Sequence, residues 1–226
     1  MATNDWDMEY VDGANEPELY GVRVRLRGLE PGDDLRLYQL YQRSSHESDE
    51  PDVADPDRLR ERLRSAQAEN APFFVVEGLH SGCMIGWVYA DQFAADRHSC
   101  RMRVYVVPEA RVYGAGAEAG IHFLDYLFGA LGMRRVTAEA PLTQERIWKM
   151  AQHWGFQIED VSRSEWRVDG QRHDMVRLAI HRDEWRRRLA EVPGTSDPAP
   201  SGGVSRLFIT RRSDDIIGLN SGLQYL

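Results

Sequence analysis

Apolar and polar positions change period several times along this chain, and each change predicts an element. "VRVRLRGL" (Val22 to Leu29) alternates apolar and basic residues at period two, the mark of a half-exposed strand. Pro31, Gly32 and Asp33 break it, and Asp33 is placed to cap a helix whose core contacts are Leu35, Leu37, Leu40 and Tyr41. A second helix over 57–68 carries Leu59 and Leu63 at i,i+4 among charged residues. "PFFVVEGLHSGCMIGWVYADQF" holds two apolar runs on either side of Gly78 to Gly82, which predicts a hairpin. "CRMRVYVV" (Cys100 to Val107) is a further strand. The long helix after it sets Ile121, Leu124, Leu127, Phe128 and Leu131 on one face and is closed by Gly132. "RRVTAEA" reads as a strand and "TQERIWKMAQHW" as a helix, with Trp148, Met150 and Trp154 packing against the sheet. A final hairpin turns at Asp169-Gly170.

These elements predict an α/β domain over residues 20–187, preceded by a flexible acidic tail over 1–19. The Pro-, Gly- and Ser-rich run "EVPGTSDPAPSGG" makes 188–226 a linker and C-terminal extension. A chain of 226 residues suits one domain with tails, and 42% apolar residues suffice for a core. The formal net charge of -8 argues against a nucleic-acid partner, since no dominant basic surface is there to displace phosphate counterions. No apolar run has the length of a membrane span, the first residues lack the apolar stretch of a signal peptide, and the two cysteines, Cys83 and Cys100, form no CxxC motif. A soluble cytoplasmic protein with reduced thiols and no bound metal is the expectation, with a homodimer left open.

The candidate chemistry lies between the strand ending at Val107 and the long helix. Arg111-Val112-Tyr113-Gly114-Ala115-Gly116 sets two glycines against a helix N-terminus, where unpartnered N–H groups and the positive end of the helix dipole favour an anion such as phosphate or pyrophosphate. The Gly-Lys-Ser/Thr of a Walker A loop is absent, and so is G-x-G-x-x-G, which weakens nucleoside triphosphate and NAD as ligands. A strand-to-helix turn using glycine for geometry alone stands beside the phosphate reading.

"VVPEARVYGAG" is similar to the R/Q-x-x-G-x-G/A segment of the GNAT superfamily of acetyl-CoA-dependent acyltransferases. "LGMRRVTAEA", "HWGF" and "DGQRHDMVRLAIHRDEW" resemble its ribosomal-protein N-terminal alanine acetyltransferase branch, and the resemblance runs from about Tyr20 to Trp185. It implies the GNAT fold, a mixed and mostly antiparallel sheet flanked by helices. It also implies acetyl-CoA or another acyl-CoA as co-substrate and a small-molecule or peptide amine as acceptor. Arg111, Val112, Tyr113, Gly114, Ala115 and Gly116 would wrap the pyrophosphate of coenzyme A. The main chain of Tyr105, Val106 and Val107 would pair with the pantetheine arm, and an N–H near Val107 would hold the thioester carbonyl.

Two departures stand out against that family. Its Asn-x-x-Ala/Ser-x-x-x-Tyr pattern falls on Gln144, Ile147 and Ala151, which leaves an amide for cofactor contact at Gln144 and no tyrosine acid. Many members of the branch have Glu and then Gly where this chain has Arg101 and Arg103, two guanidiniums on one strand face. These suit a carboxylate or phosphate on the substrate or acyl group, or else they pair with nearby acids. Glu139 and His98 are the candidate catalytic acid–base groups, and Tyr105, His122 and His153 are weaker ones. Three functions remain open: acyl transfer to an amine, acyl transfer to another acceptor such as a thiol, and acyl-CoA binding without turnover.

Overall fold

The computed structural model describes residues 17–44, 56–68, 70–111, 114–168 and 171–191. The element order is β1 (Leu19–Tyr20), β2 (Val24–Arg27), α1 (Asp33–Ser44), α2 (Pro56–Ala68), β3 (Phe73–Gly78), β4 (Met84–Asp91) and β5 (Ser99–Val106). There follow α3 (Pro108–Arg111), α4 (Ala115–Gly129), β6 (Arg135–Pro141), α5 (Glu145–His153), β7 (Gln157–Val168), β8 (Gln171–His181) and α6 (Arg182–Glu191). The strands form one eight-stranded sheet in the order β1-β2-β3-β4-β5-β6-β8-β7. Every neighbouring pair is antiparallel except β5–β6, which is parallel. The expected α/β architecture is the one observed.

Alternation along β5 divides its side chains between two cores. Met102 and Val106 join Phe123, Leu124 and Leu127 of α4 on one face, while Tyr105 and Val107 join Leu37, Tyr41, Leu59 and Leu63 of α1 and α2 on the other. A sheet covered on both faces explains why β3 and β4 read as near-continuous apolar runs.

Several sequence expectations need correction in detail. The strand over 22–29 is not simply half-exposed: Arg27 is 3% exposed, its guanidinium bonded to Asp33 (2.6 and 3.2 Å) and to Glu77 (2.6 Å). Leu35 (45% exposed) and Leu131 (38%) lie on the surface, whereas Leu37 and Tyr41 are buried as expected. α4 buries two flanks, including His122 and Asp125, and Trp185 of α6 donates to Asp125 (3.3 Å). α6 itself runs from Arg182 to Glu191. The turn expected at Asp169-Gly170, the tail over 1–16 and the extension over 192–226 lie outside the described residues.

Candidate active site

The decisive geometry is where β5 and β6 part. Their pairing covers Ser99↔Arg135, Cys100↔Val136 and Arg101↔Thr137 and then stops, although β5 runs on to Val106 and β6 to Pro141. Beyond Arg101 the two strands splay into a gap. On its other side β5 stays laddered to β4, with Gly86↔Val106, Trp87↔Tyr105 and Val88↔Val104 in register. The Val107 N–H donates to the Ile85 carbonyl at 2.9 Å. Antiparallel ladders alternate, so Tyr105 and Arg103 also direct their main-chain groups at β4, and Val104 and Val106 direct theirs into the gap. The N–H expected near Val107 to hold a carbonyl is therefore committed to β4. The gap-facing groups belong to Val104 and Val106.

Close packing holds β5 in this place. Gly86 has no room for a side chain: a Cβ there would strike the Tyr105 carbonyl oxygen and stand 2.9 Å from both Tyr105 C and Val106 Cα. At the end of β5, Pro108 begins α3 at the position where a missing N–H costs nothing. The chain then reaches Gly114, the residue before α4, at φ 74, a left-handed conformation that glycine adopts without strain. Ala115, Gly116 and Ala117 open α4 with N–H groups that have no partner earlier in the helix. A Cβ on Gly116 would stand 3.6 Å from the Val106 side chain, an ordinary van der Waals contact. The N-terminus of α4 thus stands at the mouth of the gap. Of the expected pyrophosphate loop, Val112 and Tyr113 lie outside the described residues, and Arg111 ends α3.

On the α1/α2 face an ion-pair network crosses the sheet at the point of parting. Arg101, 8% exposed, binds Asp91 through Nε (2.8 Å) and a terminal nitrogen (2.9 Å), and it reaches across to Glu139 on β6 (2.7 Å). Glu139 also accepts from Arg177 Nε at 3.2 Å. Asp91 takes Arg62 of α2 at 2.9 Å, and Arg103 Nε stands 3.6 Å away. Burial pushes the Asp91 carboxyl up, but the Arg101 bonds, with Arg103 and Arg62 beside it, outweigh this and hold it below the ordinary carboxylate range. Of the two arginines expected to meet substrate, Arg101 is engaged by acids of the sheet and Arg103 lies one step further into the gap. Glu139, expected as a catalytic group, is bound by two guanidiniums at the gap's edge.

The other candidates fall elsewhere. His98 precedes β5 at the closed end of the splay, its carbonyl accepting the Arg134 N–H at 2.7 Å. Eight residues of extended chain, roughly 26 Å, separate it from Val106, too far for proton transfer there. Gln144 precedes α5, with its N–H on the Pro141 carbonyl (2.9 Å), so it stands beyond the β6 end of the gap. Ala151 and Trp154 are buried in the core on the α4 face. Arg62 and Asp91 escaped sequence reasoning because they are far apart in the chain, although Asp91 directly opposite Arg101 is an opposite-charge cross-strand pair. Among the described residues, no group of three or more His, Cys, Asp or Glu is gathered as for a metal, and no helix is long and apolar enough to cross a membrane.

A sheet parted in the middle, with a helix N-terminus at the mouth of the parting, defines the class. A family model described as an acetyltransferase (GNAT) domain matches residues 23–157, and the chain belongs to that family. Solved structures agree on the fold. Spermidine N-acetyltransferase from Vibrio cholerae, in complex with CoA and spermine, superposes with a TM-score of 0.65 at 22% identity, covering 74% of this chain and 99% of that one. Ribosomal-protein-S5-alanine acetyltransferase from Vibrio fischeri gives 0.65 at 18%, covering 75% and 99%. A GNAT-family acetyltransferase from Bacillus anthracis gives 0.62 at 17%, covering 74% and 99%. No curated protein sequence matches the chain.

Proposed function

We propose that the protein transfers an acyl group, in the first instance acetyl, from coenzyme A to a primary amine. The observation that carries this reading is the gap between β5 and β6 with the α4 N-terminus at its mouth. The Val104 and Val106 main chain suits the amides of a pantetheine arm laid alongside β5 as an added strand. The amides of Ala115, Gly116 and Ala117 suit its pyrophosphate, with the positive end of the helix dipole behind them.

In this arrangement the amine attacks the thioester carbonyl from the α1/α2 face. A C–N bond forms and the C–S bond breaks, while the charge developing on oxygen is held by a gap-facing N–H of Val104 or Val106. The proton leaves the amine through water at Glu139, whose side chain is 21% exposed, and returns to the departing thiolate. Position 151 is alanine, where family resemblance would put a tyrosine acid, so positioning rather than a protein acid supplies the larger share of the rate. The same alanine favours a second reading, binding of acyl-CoA without turnover.

The test is titration of the protein with coenzyme A, acetyl-CoA and succinyl-CoA, followed by release of free thiol in the presence of mixed amines. Binding with thiol release supports the transferase, and binding without release supports the second reading. No binding to any of the three would sink both. Gly114→Ala, strained at φ 74 by roughly 1–2 kcal/mol, should weaken coenzyme A more than it weakens acyl-group preference.

A further inference from the structure

The chain leaves β4 through a strained residue. Gln92, directly after Asp91, has φ 49, in the left-handed region that glycine and asparagine enter more easily than glutamine. Among the described residues the other non-glycines there, Asn70 and Arg97, stand in the connections before β3 and β5. The conformation of Gln92 has a particular result. In an extended strand successive side chains take opposite faces, so residues 91 and 92 could not both meet one group. Left-handed backbone at Gln92 breaks that alternation and brings its amide to the guanidinium that Asp91 already holds. An amide is oriented by the donors around it. The two terminal nitrogens of Arg101 turn the Gln92 oxygen toward themselves, at 3.0 and 3.2 Å.

Arg101 is thereby fully engaged. A guanidinium carries five N–H donors in one rigid plane. Asp91 takes two of them, from Nε at 2.8 Å and from Nη2 at 2.9 Å. Gln92 takes one from each terminal nitrogen, and the last, on Nη1, goes to Glu139 at 2.7 Å. A plane held by the others cannot turn, so the direction of the donor to Glu139 is set from β4. Glu139 lies two places beyond Thr137, the last residue of β6 paired to β5, at the margin of the gap. Backbone strain persists where its surroundings require it, and it gathers at functional sites.

Taking the transferase reading and the part of Glu139 in it as the basis, we infer that Gln92 is a positioning residue, which through Arg101 aims the Glu139 carboxylate at the water that receives the proton of the amine. It bears on the rate of the chemical step and not on the holding of coenzyme A.

The test is a double-mutant cycle in thiol release from acetyl-CoA, with the best acceptor among spermidine, alanyl peptides and free amino acids. Gln92 is exposed, so its replacement empties no core. Gln92→Gly removes the amide and the strain together, and Tm should stay nearly unchanged, since relief of strain offsets the looser unfolded chain. kcat should fall on the order of tenfold, with KM and the coenzyme A Kd unmoved. Gln92→Glu keeps an acceptor for both terminal nitrogens and should retain most of kcat. In a Glu139→Gln background, Gln92→Gly should cost nothing further. Full kcat in Gln92→Gly, or an undiminished loss in the Glu139→Gln background, would overturn the inference and leave the transferase standing. So would a loss of coenzyme A affinity that matches the loss of rate, which would make Gln92 a support of the gap alone. Coenzyme A binding by the parent without thiol release to any of these acceptors would overturn the inference and the turnover reading together.

Discussion

Gly86→Ala is the substitution that best separates the role of β5 as scaffold from its role as ligand edge. The new methyl would meet main chain: the Tyr105 carbonyl, then Tyr105 C and Val106 Cα at 2.9 Å. A flexible side chain could rotate away, but a laddered strand has to move. Overpacking of this kind costs about 1–3 kcal/mol, and the stiffer unfolded chain that alanine brings returns about 0.4–1. The net loss, about 0–2.6 kcal/mol, corresponds to a fall in Tm of up to about 10 °C for a domain of this size. The functional effect follows from direction, because the push falls on the carbonyl of Tyr105 and the Cα of Val106, the end of β5 that borders the gap. Loss of one main-chain bond to a pantetheine amide is about 0.5–1.5 kcal/mol, roughly 2- to 13-fold in affinity. Thermal unfolding by circular dichroism and calorimetric titration with coenzyme A measure the two effects. Val88→Ala is the control, since Val88 is fully buried on the same strand and its loss leaves a cavity without pressing on β5. An alanine at position 86 that binds coenzyme A as tightly as the parent, while Val88→Ala does not, would refute this account.

Other expectations concern the buried charges and thiols. Arg27→Met strands the fully buried Asp33 carboxylate and should cost about 3–5 kcal/mol, seen as a fall in Tm of about 6–20 °C; a loss below 1 kcal/mol would show that Arg36, 3.7 Å from Asp33, suffices. Glu77, Asp91 and Glu118 are pushed up by burial yet held below their ordinary values by Arg25 and Arg27, by Arg101, and by His122 and the Arg23 N–H respectively. Groups depressed in this way bind fewer protons folded than unfolded, so stability should be complete above about pH 4.5 and fall steadily below it, and Glu77→Gln should flatten that fall in denaturant titrations against pH. Burial, with Asp91 nearby, pushes the Cys100 thiol up to about 12, while Cys83 is exposed. A thiol reagent at pH 8 should therefore label one cysteine in the native protein and two in denaturant; rapid labelling of both would contradict the buried placement.

Elements that depend on local pattern were legible in the chain: the hairpin about Gly78 to Gly82, β5, α4, β6 and α5 all lie within a few residues of their expected bounds. The two-residue β1 and four-residue α3 were not, because elements so short carry no period. Buried Arg27 was hidden for a different reason. Alternation assigns a basic residue to the solvent face, and only the fold reveals that Asp33 and Glu77 arrive there to pair with it. The site divides in the same manner. The glycine loop and the strand before it announced themselves by spacing. Which N–H groups face the gap depends on the β4–β5 register, which turns those of Val104 and Val106 toward it and commits that of Val107 to β4. His98 looked close to chemistry in sequence because it adjoins β5, and strand length carried it to the far end.

The parting of β5 from β6 leaves two leaves of sheet, β1 to β5 and β6 to β8, bound along a spine only three residue pairs long and fastened by the Arg101–Glu139 clasp. A ligand that ladders the open margin would serve as binding thread as well as reactant. At a hundred times its dissociation constant it would add about 2.7 kcal/mol to the stability of the folded chain. The lifetime of this protein against proteolysis would then rise and fall with the supply of that ligand.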